Sequence, residues 1–324
     1  MVVNMSISNL LDMNDCTLCP RNCHADRAHG HVGFCGETDK IRAARAALLK
    51  WEEPCLTGPR GSGAFFFCGC NIGCVFCQNY DIAHDNAVSS PHGLEMSAGR
   101  MAEILLSLQE QGASDINLIT PTHFLPQIIP ALNKARNEGL HIPVVYNTGS
   151  YEKKEAIQRL DGLIDIYLPD MKYYSDDLAV KFSHAPGYFK YASEAIAEMV
   201  RQCPEPVFAD GSHSLDEEND SDDPIMTRGV IVRHMALPGQ AEDSRKILDY
   251  LHSTFGNRIF ISIMSQYTPM PQVKNDPILG RRLSAEEYDS LTDYAVDIGI
   301  ENGFIQDGDV ASESFIPEFD GTGL

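Results

Sequence analysis

The stretch Gly63–Tyr80, GAFFFCGCNIGCVFCQNY, constrains this chain more than any other. Cys70, Cys74 and Cys77 follow one another at C-x3-C-x2-C spacing, just after a short apolar run, Ala64–Phe67, bounded by Gly63 and Gly69. Such a run reads as a buried strand, with the glycines marking its ends. Three thiolates on one tight loop suit an iron–sulfur cluster better than a structural zinc ion. Zinc is normally closed by four protein ligands, whereas a cubane cluster can be held by three and keep one iron open. A ferredoxin-like electron carrier and a zinc loop are the plainer readings of the same residues. Phe76, directly before the last cysteine, is placed to cover such a cluster.

The other cysteines are not scattered. Nine of the ten fall between Cys16 and Cys77, and Cys203 stands apart. Cys16, Cys19, Cys23 and Cys35 lie at C-x2-C-x3-C-x11-C spacing within CTLCPRNCHADRAHGHVGFCG. A knuckle so poor in apolar side chains has almost no core of its own, so a metal has to hold it. Four thiolates serve a tetrahedral zinc ion and a second [4Fe–4S] cluster equally well. His24, His29 and His31 are alternative ligands, but four thiolates suffice and they read as surface histidines; Cys55 and Cys68 are near enough in sequence to ligate, yet read, with Cys203, as packed side chains.

Thiols grouped in this way point to a reducing compartment rather than a disulfide framework. The opening MVVNMSISNLLDMND lacks the basic start and apolar core of a signal peptide, and no run approaches the ~18–20 apolar residues of a membrane span. A cytoplasmic protein without membrane contact is the expectation. With 46 acidic against 25 basic residues the net charge is −21, which argues against nucleic acid as a partner.

Beyond the cysteine loop, segments of helical period alternate with short apolar runs, the pattern of a parallel α/β barrel or doubly wound sheet. Six strands are expected: Ala64–Phe67, Ile116–Thr120, Val144–Thr148, Leu163–Leu168, Val230–His234 and Ile259–Met264. Residues 204–224, PEPVFADGSHSLDEENDSDDP, are acidic and apolar-poor and read as an exposed loop. The preceding E-E-P-C-L-T-G-P-R-G-S-G reads as a turn into the first strand. In parallel α/β barrels functional side chains gather at the C-terminal ends of strands. That rule selects His123, Asn147 and Thr148, then Asp170 and Lys172 in L-P-D-M-K-Y. It also selects Arg233 and His234 in V-I-V-R-H-M, and Gln266 and Tyr267 in M-S-Q-Y-T-P.

C-x3-C-x-aromatic-C on the loop after a first strand resembles the signature of the radical S-adenosylmethionine (SAM) superfamily. D-M-K at 170–172 and V-R-x4-P-G at 232–239 are similar to segments of glycyl-radical-enzyme activases. The chain from C-T-L-C-P-R-N-C to M-S-Q-Y-T-P most resembles the pyruvate formate-lyase activating enzyme-like members. One departure stands out: Thr120–His123 reads T-P-T-H where those activases carry Gly-Gly-Glu-Pro, the cradle of the methionyl amine.

The resemblance implies an α/β fold, a partial parallel (β/α)6 barrel over residues 59–324 with the acidic loop 204–224, behind a Cys-rich metal-binding segment over 1–58. It implies a [4Fe–4S] cluster on Cys70, Cys74 and Cys77, with zinc or a second iron–sulfur cluster on Cys16, Cys19, Cys23 and Cys35. SAM contacts are expected from Asn147, Asp170, Lys172, Arg233 and His234. Cations there would fix a carboxylate by charge-assisted bonds, and Asn147 and Asp170 would take ribose hydroxyls. The implied activity is reductive cleavage of SAM to a 5′-deoxyadenosyl radical that abstracts a hydrogen atom, with flavodoxin or ferredoxin as reductant. A glycyl radical protein is the implied substrate, and a small molecule the alternative. A two-cluster electron-transfer protein and a metal-stabilised binding module are the other classes considered.

Overall fold

Ser62–Phe67 is buried at every position, as expected of a strand covered on both faces. It lies inside a single mixed sheet. The computed structural model describes residues 10–89, 92–213, 224–305 and 317–324. Its strands are β1 (Ile41–Leu49), β2 (Ser62–Phe67), β3 (Leu94–Met96), β4 (Ile116–Ile119), β5 (Val144–Thr148), β6 (Ile166–Pro169), β7 (Val207–Phe208), β8 (Met226–Met235), β9 (Phe260–Met264) and β10 (Gly303–Ile305). The helices are α1 (Pro54–Thr57), α2 (Tyr80–Ala83), α3 (Ala98–Glu110), α4 (Leu125–Asn137), α5 (Lys154–Ile157), α6 (Asp176–Ser183), α7 (Tyr188–Gln202), α8 (Ala241–Phe255) and α9 (Ala285–Asp297).

The strand order is β10-β9-β8-β6-β5-β4-β2-β1-β3, with β7 on β8. Every pair from β2 to β10 along this path is parallel, while β1, β3 and β7 pair antiparallel. The register aligns Phe65, Leu118, Tyr146, Tyr167 and Val230 in one row across five strands. That row faces the helices. Met101, Ile104, Leu105 and Leu108 of α3 pack into the same core, at the helical spacing that predicts an apolar stripe.

The opposite face is concave. Val145, Ile166, Leu168, Ile231 and Phe260, from four neighbouring strands, close around Cys55 and Leu56 of α1. The connection from β1 to β2 therefore folds into the bowl and forms its floor. Ser114 Oγ fastens it from below, donating to the Thr57 carbonyl at 3.1 Å.

All six expected strands are present within an open parallel partial barrel. The fourth begins at Ile166 rather than Leu163, whose N–H instead closes the preceding turn onto Leu160. Within 204–224, Val207–Phe208 is not free loop but a strand on β8. Phe208 is buried, its ring edge-on to Phe260 at 5.8 Å. Residues 214–223 of that stretch lie outside the described residues. No helix among the described residues is long and apolar enough to cross a membrane.

Candidate active site

The chain leaves β2 through Gly69, whose φ of +77° places it in the left-handed region. A Cβ there would lie 2.5 Å from the Cys35 carbonyl oxygen, so only glycine lets the two cysteine segments approach this closely. Cys70, Cys74 and Cys77 then follow on one loop, Cys74 buried and the other two half-buried. Donors face the sulfurs: the Ile72 N–H lies 3.4 Å from Cys70 Sγ, and the Ser183 hydroxyl 2.9 Å from Cys74 Sγ. Burial pushes the Cys74 and Cys77 thiols up, and each is pushed further by its neighbouring cysteines. Lys172 pulls both back down, which places its ammonium beside this loop. Phe76 is buried and meets Tyr267 edge-on at 6.0 Å, while Gln78 donates to the Gln266 carbonyl at 2.9 Å. The loop is thus braced from the end of β9.

Cys16, Cys19, Cys23 and Cys35 line one small cavity of about 10 Å³, together with Arg21, Arg27 and His123. Two arginines join this knuckle to the barrel. Arg27 is buried and donates to the carbonyls of Glu37, Thr38 and His123. Arg21 donates to the carbonyls of Asn71 and Ile72 and lies 3.6 Å over the Phe34 ring. His24 and His29 are exposed and tied to Asp15 and Asp26, as surface histidines would be. Among the described residues no three His, Cys, Asp or Glu side chains converge as ligands of a single ion. An open cleft of about 550 Å³ runs between the knuckle and the cysteine loop, reaching Cys35 and Cys70.

At the strand ends, four of the five expected SAM contacts form one linked group. Lys172 Nζ donates to Asp170 Oδ2 at 2.6 Å, Arg233 Nε to Asp170 Oδ1 at 2.9 Å, and Arg233 Nη2 to Asn147 Oδ1 at 2.7 Å. Burial alone would raise Asp170, but Arg233 and Lys172 outweigh it and hold the carboxyl below its usual range. Tyr188 of α7 clamps this corner. Its hydroxyl lies 2.9 Å from the Gly149 carbonyl and 2.8 Å from that of Asp170, and accepts from the Lys172 N–H at 3.0 Å.

His234 does not join the group. Next to Arg233 on β8, it points to the helix side, between the Met171 carbonyl at 2.7 Å and the Ser244 hydroxyl at 2.8 Å. His123, Thr148 and Tyr267 are likewise committed elsewhere, to the Cys68 carbonyl, Glu152 and the Leu279 carbonyl respectively. Buried Glu152 also takes the Thr122 hydroxyl at 3.0 Å and the Tyr146 hydroxyl at 2.9 Å. The T-P-T-H loop is thereby drawn onto the helix side.

Sequence reasoning missed the residues inside the bowl. Glu52 and Glu53 rise from the floor, with Glu52 Oε2 3.7 Å from Arg233 Nη1. Their one signal was an acidic pair ahead of Pro54 in an otherwise apolar setting.

The radical SAM superfamily model matches residues 65–228, half of the chain, including the cysteine loop and the strands β4, β5 and β6. The chain belongs to the radical SAM superfamily. It is 26% identical to the uncharacterized protein MJ0674 of Methanocaldococcus jannaschii over 302 residues, covering 89% of this chain and 78% of that one. Among solved structures it is similar to SuiB of Streptococcus suis bound to precursor peptide SuiA, at 13% identity and a TM-score of 0.48, over 73% of this chain. The likeness covers 46% of SuiB, so the chain spans about half the length of that structure. A domain of pyruvate-formate lyase-activating enzyme from Bacteroides vulgatus is similar at 14% identity and a TM-score of 0.38, over 63% of this chain and 94% of that one.

As a radical SAM enzyme, the chain works with a [4Fe–4S] cluster and SAM. The cysteine loop fits the cluster. It presents three thiols in mutual range, and donors to sulfur of the kind that tune such clusters.

Proposed function

We propose that Cys70, Cys74 and Cys77 hold the [4Fe–4S] cluster, and that Asn147, Asp170, Lys172 and Arg233 form the bed for SAM beside it. The observation that carries this reading is the Lys172–Asp170–Arg233–Asn147 group lying within electrostatic reach of Cys74. Held by Cys70, Cys74 and Cys77, the cluster would supply the electron for reductive cleavage of SAM, the chemistry that would serve hydrogen-atom abstraction from a substrate. The protein's part is positional. Asp170 holds two cations at fixed distances, and those cations are the groups able to orient SAM's carboxylate. Phe76 and Tyr267 keep water from the loop, which a radical requires. Flavodoxin or ferredoxin is the reductant in this proposal, approaching Cys70 through the open cleft.

The segments D-M-K and V-R-x4-P-G support the finer reading of an activase acting on a glycyl radical protein. A small-molecule substrate is favoured by a different observation, the closed floor of the bowl. In the same proposal, the Cys-rich part of residues 1–58 binds a metal of its own, zinc or a second cluster, on Cys16, Cys19, Cys23 and Cys35. Anaerobic reconstitution with iron and sulfide, then SAM and dithionite, should yield 5′-deoxyadenosine. Replacing Cys70, Cys74 and Cys77 together by Ala should abolish it. Product formation by that triple variant would end the proposal.

A further inference from the structure

The floor of the bowl carries polar groups that the protein leaves unpaired. Asn117 on β4 lies between Ile116 and Leu118, and Ser262 on β9 between Ile261 and Ile263. All four of these neighbours sit in the helix-side core. Strand alternation therefore turns Asn117 and Ser262 into the bowl, where both are 0% exposed. Glu52 lies close enough to Asn117, and Glu53 to Ser262, to be stabilised by them. Yet no hydrogen bond closes. Both amide atoms of Asn117, Ser262 Oγ and Glu52 Oε2 are buried without a partner among the described residues.

Buried polar atoms are almost always paired, and each one left unsatisfied is destabilising. Such atoms on both sides of the floor, on β4 and on β9, mark a seat for something else. Charge says what kind. Arg233 reaches Glu52 only at 3.7 Å, because its Nε and Nη2 are already bonded to Asp170 and Asn147. Lys172 is bonded to Asp170 as well. The carboxylates of Glu52 and Glu53 thus share one distant, occupied guanidinium. Burial pushes Glu53 up to about 7 and raises Glu52 too, and Arg233 offsets this only in part.

We propose that the barrel floor binds the protonated amine of the substrate, with Glu52 and Glu53 as its specificity-determining carboxylates. An ammonium brings a positive charge and donors for Glu52 Oε2, Asn117 Oδ1 and Glu53, while Ser262 and the Asn117 amide can donate to a neighbouring oxygen of the same molecule. This deepens the reading of the strand ends as the site of radical chemistry, and rests on it. Arg233 belongs to both levels, so an amine seated on the floor stands directly beneath the proposed SAM bed.

The test titrates n-butylammonium, n-butanol and butyrate into the anaerobically reconstituted full chain, followed by calorimetry. The ammonium should bind at least tenfold more tightly than either uncharged or anionic analogue, and Glu52→Gln with Glu53→Gln should remove that preference. Equal binding of the three probes by the wild-type protein overturns the proposal, and needs no variant to fold. Preference retained in the double variant overturns the assignment to these two residues. 5′-Deoxyadenosine formation by the wild-type protein is scored separately. Cleavage without ammonium preference sinks the floor site alone, whereas preference without cleavage sinks the radical reading alone. A lysine-containing tripeptide in a parallel titration tells a side-chain amine from that of a free small molecule.

Discussion

The Arg21 guanidinium donates to the Asn71 carbonyl oxygen at 2.8 Å, so a side chain of the N-terminal knuckle holds the backbone of the cysteine loop. The same fork reaches the Ile72 carbonyl at 2.6 Å and bonds the His184 carbonyl at the end of α6. Two separate segments are fixed to the knuckle by one planar group, which lysine cannot imitate. Arg21→Ala should lower stability by about 2 kcal/mol and reduce iron retained after reconstitution, with Arg21→Lys recovering little. Unchanged iron content and melting temperature in Arg21→Ala would show that the knuckle does not support the loop.

The knuckle should carry its own metal. Replacing Cys16, Cys19, Cys23 and Cys35 together by Ala is expected to remove one metal centre and loosen the N-terminal segment, while the spectroscopic signals of the barrel cluster remain. Metal and sulfide analysis of both proteins then identifies what was lost. No change in zinc or iron would refute a second site.

Lys172 and Arg233 share Asp170, and their removal should have different costs. Lys172→Met leaves Asp170 paired with Arg233, so the fold should survive while SAM binds about ten- to a hundredfold more weakly, the loss of one charge-assisted bond. Asp170→Asn leaves Lys172 without a carboxylate and Arg233 with only Glu52 at 3.7 Å, and should destabilise the protein by about 3 kcal/mol. Equilibrium SAM binding and urea unfolding separate the two effects. Full SAM affinity in Lys172→Met would remove it from the site.

Asp115 predicts a pH dependence with a definite sign. Burial pushes its carboxyl from 3.8 up to about 8, against the bond from Ser62 Oγ at 2.6 Å and with a further push from Glu52. The folded state therefore keeps a proton that the unfolded chain releases. This stabilising contribution is fully present below about 3.8 and is lost as pH rises through 8, at up to ~1.4 kcal/mol per pH unit. Asp115→Asn keeps an acceptor for Ser62 without the titration, so it should gain on the wild type steadily from pH 5 to 8 in urea denaturation. Parallel curves for the two proteins would contradict this.

Much of this molecule was legible because its signals are local. Val144–Thr148 is an apolar run of strand length and appears with those bounds. The cysteine loop announces itself by spacing. What escaped depends on distant partners. IRAARAALL is β1, although alanine and arginine favour helix. The strand forms because Arg42 is buried between Glu37 at 3.0 Å and Asp85 at 2.5 Å, and because β2 offers an edge. Arg233 and His234 were both named at a strand end, yet adjacent strand residues face opposite ways. Only the sheet's curvature says which of the two looks into the bowl. Glu52 and Glu53 looked like part of a surface turn, since nothing nearby in the chain shows that the β1–β2 connection folds inward.

That connection has a further meaning. The wall of the bowl is built from strands within residues 65–228, the portion shared with the superfamily at large, together with β8, most of which lies beyond it, and β9 and β10. Its base comes from residues 50–61, ahead of the shared portion and tethered at both ends to a hairpin. Changes of length or composition there can alter the depth and polarity of the chamber without moving a parallel strand or a cysteine. Relatives with superimposable walls can therefore have quite different bottoms, and grouping them by the shared portion alone overlooks the part of the vessel in which they differ.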